Sequence, residues 1–197
     1  MADTKVSALS ALAGADVVQT SDVLLIVDTS TTTDKKILVS ELSLAMNKLG
    51  TQQAGAGATL DFTIPAWATR VTVMCAGLST NGTTGIMVQL GDAGGIEATG
   101  YTGGSMNSGG TITAFSTYFL FGTTAAARIY EAVFDLSLEN ASAFTWLGQG
   151  FMADQSGVQF NTFAGRKSTS AAMTTVRISS VNGTDTFDAG AVNVSYR

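Results

Sequence analysis

From Thr59 onward, apolar residues recur at every second position. Leu60, Phe62 and Ile64 alternate with Asp61 and Thr63, and Pro65 ends the run. Val71, Val73 and Cys75 form a second row, Ile86, Val88 and Leu90 a third. Phe115, Thr117, Phe119 and Phe121 alternate with Ser116, Tyr118 and Leu120, which predicts one strand apolar on both faces. Tyr130, Ala132, Phe134, Leu136 and Leu138 stand opposite Glu131 and Asp135. Phe144 and Trp146, then Val158, Phe160 and Phe163, then Val176 and Ile178, and last Val192, Val194 and Tyr196 complete the series. A period of two places alternate side chains on one face of a strand. About eight or nine short strands separated by turn signals predict a mainly β fold, an antiparallel sandwich or jelly roll. Asn81-Gly82 reads as a hairpin turn between two of the runs.

The first fifty residues follow another pattern. Asp22 to Asp28 is an apolar run fenced by acids, with the length and β-branching of a strand buried on both faces. Thr29 to Thr33 is a polar turn, and Lys36 to Val39 is a candidate returning strand. Ser40 fits an N-cap with Glu41 in the first turn, and Leu42, Ala45, Met46 and Leu49 follow at helical spacing up to Gly50. The pattern therefore predicts a helix over residues 40–49. A helix of about ten residues is too short to stand alone, so the stripe Leu42, Met46 and Leu49 needs a partner. Either its own two strands or another subunit could supply one. Residues 1–50 thus read as a small α+β module.

Thr51 to Ala58 contains no charged, aromatic or branched aliphatic residue. Such a stretch buries too little apolar surface to offset its ordering, and it predicts a flexible linker over residues 51–58. The layout expected is an attachment module (1–50), a linker, and a displayed β head (59–197).

Composition narrows the chemistry. Charged residues make up only 13% of the chain, about half the usual share, so the surface must be largely Ser, Thr, Asn, Gly and Ala. There is no histidine, which removes the commonest general base and metal ligand. Cys75 is the only cysteine and, within Val-Met-Cys-Ala, reads as a small buried hydrophobe. The net charge is −5 and neither half is basic, which predicts no binding to nucleic acid or anionic membranes. No apolar run approaches the ~20 residues of a membrane span. Met1 to Lys5 shows no apolar core of the signal-peptide kind, so a soluble chain made in a cytoplasm is expected.

Few motifs carry chemistry. Gly91-Asp92-Ala93-Gly94-Gly95 imitates a serine-protease nucleophile motif, but Ala93 stands where the serine would be. Asn182, Asp185 and Asp188 could lend oxygens to calcium, although their spacing is not that of an EF-hand and solvated turn residues explain them. Glu131 and Asp135 fall on one strand face and read as solvated carboxylates. The sequons at Asn81, Asn140, Asn182 and Asn193 have no meaning without secretion. No catalytic residue, cofactor site or metal site is predicted. Gly100 to Gly110 reads as a long polar loop exposing Tyr101 and Met106, a candidate contact surface.

Several stretches resemble a known class. Lys5-Val6-Ser7-Ala8-Leu9, Gly14-Ala15, Asp22 to Asp28 and Lys35 to Leu42 are similar to the N-terminal module of many tailed-bacteriophage fibre and spike proteins. Ile64-Pro65-Ala66-Trp67, Gln89 to Tyr101 and Val176 to Gly190 resemble terminal β domains of the same class. The resemblance implies a non-enzymatic virion structural protein, assembled as a homotrimer with a β-rich head. Residues 1–50 would bind another virion protein, and the head would meet a host-surface glycan or protein. A capsid-decorating head fibre and a free lectin-like module are the alternatives.

Overall fold

The computed structural model describes the backbone of residues 23–28 and 33–38, and residues 48–197 apart from Thr123 and Ala127. The chain divides into two units, Met1–Asn47 and Lys48–Arg197. In the first, β1 (Val23–Asp28) and β2 (Thr33–Leu38) pair antiparallel, with Val23 opposite Leu38 and Asp28 opposite Thr33. The apolar run fenced by acids and its return thus form a hairpin.

The second unit is an antiparallel β sandwich. Its strands are β3 (Lys48–Leu49), β4 (Gln53–Ala54), β5 (Thr59–Thr63), β6 (Arg70–Thr80), β7 (Ile86–Asp92), β8 (Gly95–Ile96), β9 (Tyr101–Asn107), β10 (Ile112–Phe115), β11 (Phe119–Gly122), β12 (Tyr130–Asn140), β13 (Thr145–Asp154), β14 (Phe160–Ser168), β15 (Thr175–Ser180) and β16 (Phe187–Tyr196). The larger sheet runs β10-β9-β14-β13-β12-β6-β16-β3, with β4 also on β16. The smaller runs β11-β7-β15-β5, with β8 on β7. Strands β12, β13 and β14 follow one another as a meander within the larger sheet, whereas most other connections cross between sheets.

The period-two rows meet in the middle. Val71, Val73, Phe134, Leu136, Val192 and Val194 from the larger sheet face Leu60, Phe62, Val88, Leu90, Val176 and Ile178 from the smaller, all buried. At one end of this core the rings of Phe119, Phe134 and Phe163 lie 5.1–6.0 Å apart. Such pairs add about 0.5–1.5 kcal/mol each beyond their buried area. They approach the backbone of β13 so closely that a Cβ on Gly150 would come within 2.8 Å of Phe163 and 2.6 Å of the Val133 carbonyl. Glycine is the residue that fits there. Gly190 serves otherwise: its φ of +84° turns β16 through an irregular register against β6, past the Gly77 carbonyl.

Cys75 lies in this core opposite Ala132 and Val192, and burial, aided by the Glu131 charge, pushes its thiol up to about 12. It is a packing residue and not a nucleophile at neutral pH.

Several expectations change. Lys48 and Leu49, the expected end of a helix, form strand β3 opposite Tyr196 and Ser195. Backbone partners on β16 override the local helical spacing. Residues 40–47, with Leu42 and Met46, lie outside the described residues. The stretch 51–58 belongs to the second unit and is fastened along β16. Gly55 N donates to Gly190 O (2.9 Å), Phe187 N donates to Gly57 O (2.8 Å), and Gln53 and Ala54 pair with Val192 and Ala191. Small uncharged residues suit a segment whose partner is another backbone, so composition alone misled. The Phe115–Phe121 run is two strands in different sheets, because Ser116 to Tyr118 carries the chain from the larger sheet to the smaller. Asn81-Gly82 likewise joins strands of different sheets and closes no hairpin.

Candidate functional site

The expected contact loop at Gly100–Gly110 is mostly strand. Tyr101 opens β9 with its side chain inward and is 2% exposed. Its hydroxyl accepts from Leu90 N (2.7 Å) and donates to Glu97 O (3.0 Å), so a buried ring keeps a satisfied polar end. Burial raises its pKa well above the ordinary tyrosine value. Tyr101 is therefore a core residue, not an exposed contact. Met106, five residues on and of opposite parity, points outward and is exposed. Leu49 is 67% exposed on β3, beside a hollow of ≈ 350 Å³ that it lines with Asp61, Phe62 and Tyr196. The structure thus separates Leu49 from Met106, on different parts of the larger sheet.

Among the described residues, the outward face of the larger sheet presents a row of exposed apolar side chains. Register places Met74, Val133, Phe151, Thr162, Met106 and Ile112 side by side across six strands. Phe151 is 51% exposed and Ile112 74%. Phe151 also stacks on Phe160, with centroids 6.3 Å apart and planes at 17°. Next to this row runs a groove in two adjoining hollows, of ≈ 670 and ≈ 510 Å³, which share Asp135, Gln149 and Ala164. The groove opens where Gly104 and Ala164 offer little outward side chain. Leu147 and Arg166 border one hollow, Phe151 and Met106 the other. Asp135 accepts from Thr72 Oγ1 at 2.6 Å, which fixes a carboxylate at the join. Apolar rims around a few placed polar groups can seat a partner's side chains or the faces and hydroxyls of sugars.

These outward residues are hard to see in sequence for a specific reason. On β13 the inward positions include Gly148 and Gly150, so the larger residues Leu147 and Phe151 fall on the solvent face. Hydrophobic alternation read without the structure points the wrong way at that place.

The other candidates are engaged in holding loops. Asp92 bonds Ser170 Oγ and Gly94 N, which hold its pKa below the usual carboxylate value. Burial alone would raise Glu97, but the Lys167 ammonium and the Ser170 amide outweigh it and bring the net value down. Asp185 is lowered by Asn182 Nδ2 and by the amide and hydroxyl of Thr84, and so ties the turn after β15 to the turn after β6. Among the described residues no three His, Cys, Asp or Glu side chains come together as a metal site would require. Glu131 and Asp135 stand four residues apart on one strand, about 13 Å at ~3.3 Å per residue. That exceeds the about 5–9.5 Å of paired glycosidase carboxylates. Glu131 is instead bonded by Gln155 Nε2 at 2.7 Å.

No family model, no curated protein and no solved structure matches this chain.

Proposed function

We propose that the chain is a non-enzymatic structural protein of a bacteriophage virion, a short trimeric fibre or spike. Its N-terminal residues attach it to another virion protein, and the sandwich is the displayed head. The observation that carries this reading is the apolar row from Met74 to Ile112 beside the Asp135 groove. It is a surface suited to contact, on a head where Asp92, Glu97 and Asp185 are engaged as loop ties and whose composition supplies no histidine. The low overall charge favours the same reading, since surfaces that meet in symmetric assemblies are depleted in charge. The groove, with Gln149, Arg166 and Asp135 along it, is the proposed site for a host-surface glycan or protein.

Cryo-electron microscopy of particles carrying the full chain, and of particles carrying a chain without residues 1–47, tests this. The expected result is head density on the former that is lost from the latter. Head density unaffected by that deletion, or no density on any particle, would overturn the proposal. Density on the capsid shell would assign the decorating role, and density on the tail a host-binding one. Glycan binding by the chain without particle density would favour a free lectin-like module instead.

A further inference from the structure

Every sheet edge has unpaired backbone groups that invite another strand, and proteins usually guard such edges with charge or cover. Most edges of this sandwich are guarded. Strand β3 carries Lys48. Strand β5 carries Asp61, whose carboxylate holds both Arg177 Nε (2.7 Å) and Nη2 (2.6 Å). Strand β8 lies between Asp92 and Glu97, and all four residues of β11 are buried. Strand β10 differs. It ends the larger sheet, its residues Ile112, Thr113 and Ala114 are exposed, and it has no bulge against β9. The sequence holds no Asp, Glu, Lys or Arg from Ala98 to Ala127. Ile112 is also the outermost residue of the apolar row.

We propose that β10 is an open edge through which two copies of this chain pair their larger sheets antiparallel. The charge pattern favours a copy as the occupant. In a two-fold strand pair the residue on the axis faces itself, so any charge there faces its like, and a neutral strand escapes that penalty. Opposite residues in an antiparallel pair must point to the same face, so the axis passes midway between the two copies of one residue. An axis at Thr113 sets Ile112 of each copy opposite Ala114 of the other, on the outward face. It extends each apolar row by one residue, Ala114 of the other copy, whose own row leads through Gly104 and Ala164 to the groove. The inference goes beyond the fibre reading and stands without it, because the two-fold contact uses a sheet edge and not the N-terminal residues.

The test is the mass of the full-length chain in solution by sedimentation equilibrium, for wild type, Thr113→Lys and Thr113→Glu. Thr113 is exposed, so both variants should melt as wild type does, which circular dichroism checks. Each variant is expected at half the wild-type mass, and an equimolar mixture of the two should return to the wild-type mass as opposite charges meet on the axis. One common mass for all three chains, or halved variants that mixing does not restore, overturns the pairing. The mass of Thr113→Lys separately reports whether three copies assemble by another route.

Discussion

Lys167 on β14 and Glu97 in the bend after β8 form an ion pair, with the Lys167 side chain 5% exposed and that of Glu97 22%. The same ammonium bonds the Ser168 carbonyl and lies 5.5 Å from the centre of the Tyr101 ring. The pair fastens the β8–β9 bend to β14, the last strand of the meander, and the second Glu97 oxygen accepts from Ser170 N at 2.6 Å. Removing Glu97 leaves the buried ammonium without its counter-charge, which costs about 3–5 kcal/mol. Glu97, by contrast, is 22% exposed and keeps the Ser170 amide when Lys167 is removed. Glu97→Leu should therefore lower unfolding stability in urea by that order, and Lys167→Met by less. The double variant Lys167→Met with Glu97→Leu should regain part of the loss, since neither charge then remains. A double variant as unstable as the sum of the two single changes would show that the two groups are not coupled.

Acid should loosen this fold from its loops inward. Asp92, Glu97 and Asp185 all have folded pKa values below the ordinary carboxylate range. Asp154 does too: burial would raise it, but Ser156, the Val158 amide and Arg128 outweigh that. A group depressed in the folded state stabilises above its unfolded pKa, and that contribution is lost as pH falls through the folded value. Thermal melts should give a nearly constant Tm from about pH 7 to 5 and a steady fall below about pH 4. Asp185→Asn should make the fall shallower. A Tm that stays level from pH 5 to 2.5 would falsify the assignment.

How much of this was legible in the sequence depends on which neighbour decided each element. Rows such as Val71, Val73 and Cys75 face a core on one side and solvent on the other, so their alternation alone indicates strands of a sandwich. The fate of Tyr101 turns on Leu90 and Glu97, which lie on other strands, and a glycine-rich flank disguised a buried ring as a loop residue. Leu49 was drawn into β3 by Ser195 and Tyr196, far away in sequence. The outward row escaped notice because Phe151, Met106 and Ile112 come from three strands whose register no local pattern fixes. The Lys167–Glu97 pair is likewise invisible before the fold brings the two together across seventy positions.

Residues 51–58 provide the sharpest contrast between composition and structure. If the stretch hung free, a protease that cuts after small residues would cleave at Ala54, Ala56 or Ala58. Bound along β16, with Gln53 Nε2 also reaching Asp61 O at 2.6 Å, it should resist elastase under conditions that leave the fold intact. Gly55 is where this docking is tightest: a Cβ there would come within 2.2 Å of the Ala189 carbonyl, which is backbone and cannot swing aside. Gly55→Val should therefore lift the segment off β16, open it to elastase, and cost about 1–3 kcal/mol of stability as an overpacked contact. Rapid cleavage of the wild-type chain within 51–58, at the same rate as the variant, would restore the reading of this stretch as a linker.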